Sequence, residues 1–286
     1  MKPVTNTATT PHKTWLSKTW LGRIFHKNGN SNSSPSGALF GGGNTKTKKM
    51  ADALNTPYFN SLTNDAVKKA TIASIVSELK KDGITSPYTI AAFLAIISKE
   101  SDFRLVRENL NYTSAALQKV FGLDKATADR LTAITDGTKQ EQIANTVYMP
   151  PHNTQLGNTQ AGDGWNFRGA GWNQLTGRGN AVKVGQKIGV DLVGNFDKLS
   201  TPQVATDALL AFFKDGLADL KASGSLAKNY NNTTGDINGF PSEADATAAF
   251  YNVNAGTGQT QSFLLKDVTG GRALAMGRSS GFLDYV

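Results

Sequence analysis

Ser86-Pro87-Tyr88-Thr89-Ile90-Ala91-Ala92-Phe93-Leu94-Ala95-Ile96-Ile97-Ser98-Lys99-Glu100 is the stretch on which the fold turns. Ser86 reads as an N-cap, and Pro87 suits the first helical position, where its missing N–H costs nothing. The residues that follow are apolar nearly all round. A surface helix shows one apolar stripe, so a helix of this kind must run through the middle of a core. It ends at about Glu100, which puts a carboxylate at the edge of that core.

Just upstream, Ile72, Ile75, Val76 and Leu79 follow the i, i+3, i+4, i+7 rule of an amphipathic helix that Asp82-Gly83 stops. Further helices are expected over residues 113–121, 124–134, 139–148, 180–188, 202–222, 243–252 and 260–266. Between them lies a long Gly- and Asn-rich segment, residues 149–180, with glycines at 157, 162, 164, 169, 171, 177 and 179. Irregular segments of that length are uncommon and usually carry function. The expected fold class is therefore mainly α, with one long functional loop.

With 286 residues and 39% hydrophobic side chains, the chain can bury a sizeable core. Cysteine is absent, which rules out disulfides, thiolate metal sites and a cysteine nucleophile. His12, His26 and His152 are too scattered for a local metal motif, and carboxylates remain as the main acid–base groups. No run of 18 apolar residues occurs, and the N-terminus lacks the apolar stretch of a signal peptide.

The net charge of +8 is unevenly spread. Residues 1–55 hold eight Lys and Arg against one acid, whereas the remaining chain is nearly balanced. The basicity belongs to an arm, so residues 56–286 need no strong electrostatic footprint. Within the arm, residues 28–49 are a low-complexity tether, and residues 13–27 interleave Trp15, Trp20 and Phe25 with Lys and Arg as a basic amphipathic helix would. This predicts a flexible arm that anchors to a membrane surface or to a partner protein, or else docks on the main domain. Nucleic acid is the least favoured partner.

The chemistry rests on two glutamates. Glu100, at the edge of an apolar helix, has the setting of a general acid, since burial disfavours its charged form. Glu108 opens Glu108-Asn109-Leu110-Asn111-Tyr112, where the chain has left the helix and can turn back to the same cleft. Two carboxylates across a groove are the equipment for glycosidic cleavage. Spacing alone is a poor signal and favours two solvated surface acids.

Five segments decide further. Phe93 to Ser101, Glu108 to Tyr112, Gly162 to Gly171 (GDGWNFRGAG), Gln174-Leu175-Thr176-Gly177-Arg178 and Ile188 to Leu192 stand in the order seen in glycoside hydrolase family 19. The chain resembles the bacteriophage, peptidoglycan-degrading branch of these chitinase-like enzymes, over about residues 65–275. The resemblance implies a lysozyme-like α-helical domain, with Glu100 as general acid, Glu108 as the base that activates water, and Thr176 helping to hold that water. Gln174, Asn254, Asp163, Trp165, Arg168 and Tyr112 would contact sugar, although Asp163, between two glycines, could equally be a turn former. No metal or organic cofactor is implied. The implied partner is the peptidoglycan glycan strand, cut at β-1,4 links between N-acetylated amino sugars with inversion, which needs carboxyls about 6.5–9.5 Å apart. The implied setting is a virion or an infected host cell, with action on the wall in the periplasm.

The chain departs from the family pattern at Phe167, Ala170, Ala181 and Ala255, which would remove an Arg and two phenolic groups from the cleft wall. Chitin is the alternative substrate, transglycosylation by Glu100 alone the alternative reaction, and a glycan-binding structural or adaptor protein the non-enzymatic alternative.

Overall fold

The computed structural model describes Leu62, residues 64–254 and Phe282. The arm over residues 1–55, the helix expected over 260–266 and Ala255 lie outside the described residues. The helices are α1 (Ala66–Lys81), α2 (Pro87–Glu100), α3 (Ser114–Phe121), α4 (Lys125–Thr132), α5 (Lys139–Val147), α6 (Asp163–Asn166), α7 (Arg178–Ile188), α8 (Pro202–Ala222), α9 (Ser225–Tyr230) and α10 (Glu243–Asn254). A 3-10 turn at Phe196–Ser200 precedes α8. Among the described residues there is no β-strand, only one isolated bridge between Ala170 and Leu175, and the fold is mainly α as the sequence implies.

The cap expected at Ser86 forms, and three further helices are capped alike. The Ser86 hydroxyl accepts from the Thr89 N–H at the start of α2, and Asp65, Thr113 and Asp124 cap α1, α3 and α4 in the same way. Every residue of α2 from Thr89 to Glu100 is buried. Its main neighbour is α10, with α8 behind. Phe93 stacks on Phe250 at 4.6 Å between centroids and meets Phe213 edge-on at 5.3 Å, so three helices share one aromatic cluster.

Two hydrophobic cores result. The larger gathers α1, α2, α7, α8 and α10, together with Phe167, Trp172 and Leu175 of the long loop. The smaller is built from Leu110, Tyr112, α3, α4, α5, Tyr148 and Leu156. The loop is fastened to both. On the small side, Gly164 of α6 sits so close to α5 that a Cβ would lie 2.5 Å from the Ala144 carbonyl oxygen. On the large side, the buried Trp172 indole donates to the Thr206 hydroxyl at 3.1 Å.

Two short helices are not legible in the sequence. α9 has six residues and α6 four, too few to show a 3.6-residue period.

Replacing Phe93 by Ala should cost about 3–5 kcal/mol, because the aromatic cluster cannot collapse around the void. The exposed Val67→Ala should cost less than about 0.5 kcal/mol. Urea unfolding followed by circular dichroism measures both.

Candidate active site

Glu100 is the last residue of α2 and is 6% exposed. Its Oε1 accepts from the Lys99 ammonium at 3.0 Å and from the Asn254 side-chain amide, at the end of α10, at 2.8 Å. Burial and the negative end of α2 oppose its charge, while the ammonium and the amide favour it. The sequence shows the burial but not the amide, which arrives from a helix more than 150 residues away. Lys99 is itself buried and lies 5.1 Å over the Tyr251 ring.

Beyond Glu100 the chain reverses through Asp102 (φ 51°) and Phe103 (φ 59°), left-handed conformations that are strained for non-glycine residues. Phe103 is held by burial against Phe282, and Asp102 by the Lys68 ammonium at 2.8 Å. This reversal brings Glu108 back. The Glu108 N–H donates to the Gly169 carbonyl at 2.8 Å, and the Gly169 N–H returns a bond to Glu108 Oε2 at 3.2 Å. The Tyr148 hydroxyl lies 2.8 and 2.7 Å from the two carboxylate oxygens and donates its one proton to them. An ionised carboxylate only accepts, and it suits this pair of donors.

Gln174, also left-handed (φ 54°), uses its amide N–H groups on the Val106 and Gly171 carbonyls, each at 3.2 Å, and so ties the Glu108 stretch of chain to the loop. A Cβ on Gly169 would lie 2.8 Å from Gln174 Oε1 and 3.3 Å from Glu108 Oε2, so only glycine fits where Glu108 and Gln174 converge. Thr176 donates to the Gln174 carbonyl at 3.0 Å, which leaves its oxygen able to accept from a water. Glu108, Gln174 and Thr176 thus share one wall, while Asn254 belongs to Glu100.

Two expected sugar contacts are instead part of the scaffold. Asp163 is fully buried, with Arg178 on both its oxygens (2.8 and 2.6 Å) and the Thr159 and Gln160 N–H groups on Oδ2. Burial works against its charge, but these donors outweigh that and hold its carboxyl below the usual range. Tyr112 packs edge-on to Phe121 at 5.2 Å inside the small core. Trp165 and Arg168 remain at the surface side, the guanidinium stacked 3.4 Å from the indole centroid.

At the departures from the family pattern, Phe167, Ala170 and Ala181 are all buried. Phe167 meets Phe196 edge-on at 5.2 Å, a contact that needs no hydroxyl. Sequence reasoning does not find Tyr148, Lys99 or Arg107. Tyr148 stands 40 residues from Glu108, and nothing local in sequence links them.

No protein-family model matches the chain. A Haemophilus influenzae protein, named a glycosyl hydrolase family 19 domain-containing protein, is 35% identical over 156 residues, covering 52% of this chain and 74% of the relative. The chain belongs to glycosyl hydrolase family 19. Membership makes it a chitinase-like glycosidase in general terms, and no helix among the described residues is long and apolar enough to cross a membrane.

Because the Asp163 carboxyl is lowered on folding, its stabilisation is present above the unfolded pKa of about 3.9 and is lost as pH falls through the folded value. Asp163→Asn should destabilise the protein at pH 7 and flatten its acid limb below about pH 4. Thermal unfolding across pH 2–7, at about half-unit steps, measures the difference.

Proposed function

We propose that this family 19 protein is a bacteriophage lysin that cleaves β-1,4 links between the N-acetylated amino sugars of peptidoglycan, inverting the anomeric centre. The observation that carries the reading is the separate anchoring of two buried carboxylates. Glu100 is held from α10 by Asn254, and Glu108 from the small-core side by Tyr148 and the Gly169 amide. A substrate bound between such groups has an acid on one side and a base on the other.

In this mechanism Glu100 gives its proton to the leaving glycosidic oxygen. Lys99 and Asn254 stabilise the carboxylate that forms. Glu108 takes a proton from a water that attacks the opposite face of the sugar, with the Thr176 oxygen accepting the water's other hydrogen. Tyr148, Gly169 and Gln174 hold the base in place without competing for that proton, and no metal is needed.

Glu100→Gln should reduce release of reducing ends from purified peptidoglycan by about 100- to 10,000-fold, the usual worth of a positioned acid, with the helical circular-dichroism spectrum retained and the melting temperature lowered because Lys99 loses its buried partner. Glu108→Gln should lose as much and Thr176→Val less. Near-native release by folded Glu100→Gln would overturn the assignment.

The arm completes the reading. Residues 1–55 are proposed as a tethered anchor, to anionic membrane or to a virion protein, and residues 56–286 as the hydrolase domain. A tether raises local concentration without touching the active site. Deleting residues 1–55 should leave hydrolysis of purified glycan unchanged while weakening co-sedimentation with anionic vesicles or assembly into particles. Loss of activity on purified glycan would make the arm part of the catalytic fold.

A further inference from the structure

Beside Glu108 stand two guanidinium groups that the hydrolytic steps do not use. Arg107 precedes Glu108 and Arg168 precedes Gly169, and the paired backbones of Glu108 and Gly169 set the two arginines side by side. Each lies on an aromatic face, Arg168 on Trp165 and Arg107 on Phe196, with 4.9 Å from the Arg107 guanidinium to the ring centroid. Their hydrogen bonds go to neutral carbonyls. Arg168 donates to the Trp165 carbonyl at 2.9 Å, and Arg107 donates to the Asn166 carbonyl. The one acid paired with Arg107, Asp197, is 77% exposed and 3.6 Å from Nε, too far for a hydrogen bond.

The charges are therefore desolvated, adjacent and poorly compensated. Arg107 Nε and Nη1 and Arg168 Nε are buried without any hydrogen-bond partner. Buried donors are normally satisfied, and a guanidinium kept short of acceptors beside a second one is costly unless something else supplies them. Burial and the neighbouring Arg168 push the Arg107 guanidinium down to about 10, against the pull of Asp197 and Glu108. Planar stacking holds both forks in place, which favours an incoming carboxylate geometrically.

We propose that Arg107 and Arg168 form a carboxylate-binding subsite beside the base. Resting on the peptidoglycan reading above, its ligand is a carboxylate carried by the muramyl residue: one on the stem peptide where a peptide is attached, or that of the lactyl ether where none is, since attachment turns the lactyl carboxyl into a neutral amide. Neutral chitin has no such group, so the pair selects between the two polymers. Val106, 53% exposed and next in the chain, adds an apolar contact at the same edge.

The test uses the full chain, with Arg107→Gln and Arg168→Gln, on three forms of peptidoglycan: intact, amidase-stripped so that only lactyl carboxylates remain, and carbodiimide-amidated so that carboxyls are neutral. Reducing-end kinetics and co-sedimentation are both read, with thermal unfolding as the fold control. Wild type should lose about tenfold or more in affinity, seen in KM and in co-sedimentation, on the amidated polymer. Each variant should lose as much on the intact polymer and little further on the amidated one, because the two changes remove the same interaction. Arginine dependence retained on stripped glycan identifies the lactyl carboxylate as sufficient, and dependence lost there identifies the stem peptide. The proposal falls if wild type handles intact and amidated polymer alike, or if the variants lose equally on both. If Arg107→Gln does not fold, Arg168→Gln and the wild-type comparison still decide. Carboxyl-dependent co-sedimentation without hydrolysis would retain the subsite and overturn the hydrolase reading; hydrolysis indifferent to carboxyls would do the reverse.

Discussion

Everything in this structure is arranged around the burial of α2. A helix that is apolar on every face must be covered on every face, and α10 does most of the covering, with Phe213 of α8 joining Phe93 and Phe250 in one cluster. The consequence for chemistry lies at its C-terminal end. Lys99 and Glu100 are carried into the interior with the apolar residues, where two charges are tolerated only if they are paired and hydrogen-bonded. Each is the other's partner, and Asn254 completes the set from the helix that α2 packs against most closely. The packing that stabilises the fold thereby also fixes the position of the Glu100 carboxyl.

The second carboxylate is positioned by other means. Glu108 lies on irregular chain, and irregular chain is precise only when something fastens it. The fastening consists of the two-way bond with Gly169, the Tyr148 hydroxyl and the Gln174 amide. Of four non-glycine residues with positive φ among the described residues, Asp102, Phe103 and Gln174 flank this site. The strain they hold is offset by burial of Phe103 and by the Gln174 bonds, a pattern expected where geometry is demanded by function. The loop is secured farther out by the Asp163–Arg178 pair, an ionic bond that shapes the segment.

What is legible in the sequence is what is local. The start of α2 can be read from Ser86-Pro87, because an N-cap followed by proline is a signal a few residues long. The burial of Glu100 can be read from its place at the end of an apolar helix, whereas Glu108 is singled out only by family resemblance. Tyr148 cannot, since its link to Glu108 exists only once α5 has packed. Asp163 and Tyr112 cannot be told from ligand contacts, because a buried ion pair and a core aromatic look in sequence like a free acid and a sugar platform.

The central claim is that Glu100 and Glu108 act in a single displacement with a water between them. Proton NMR of the sugar released in the first minutes of digestion, before mutarotation, tests this most directly. Cleavage of a β-1,4 link by single displacement yields the α-anomer first, and that is the expected product. An initial β-anomer would mean that Glu108 is a nucleophile or a bystander, and a non-reducing anhydro sugar would mean that Glu100 acts alone; either result would overturn the claim.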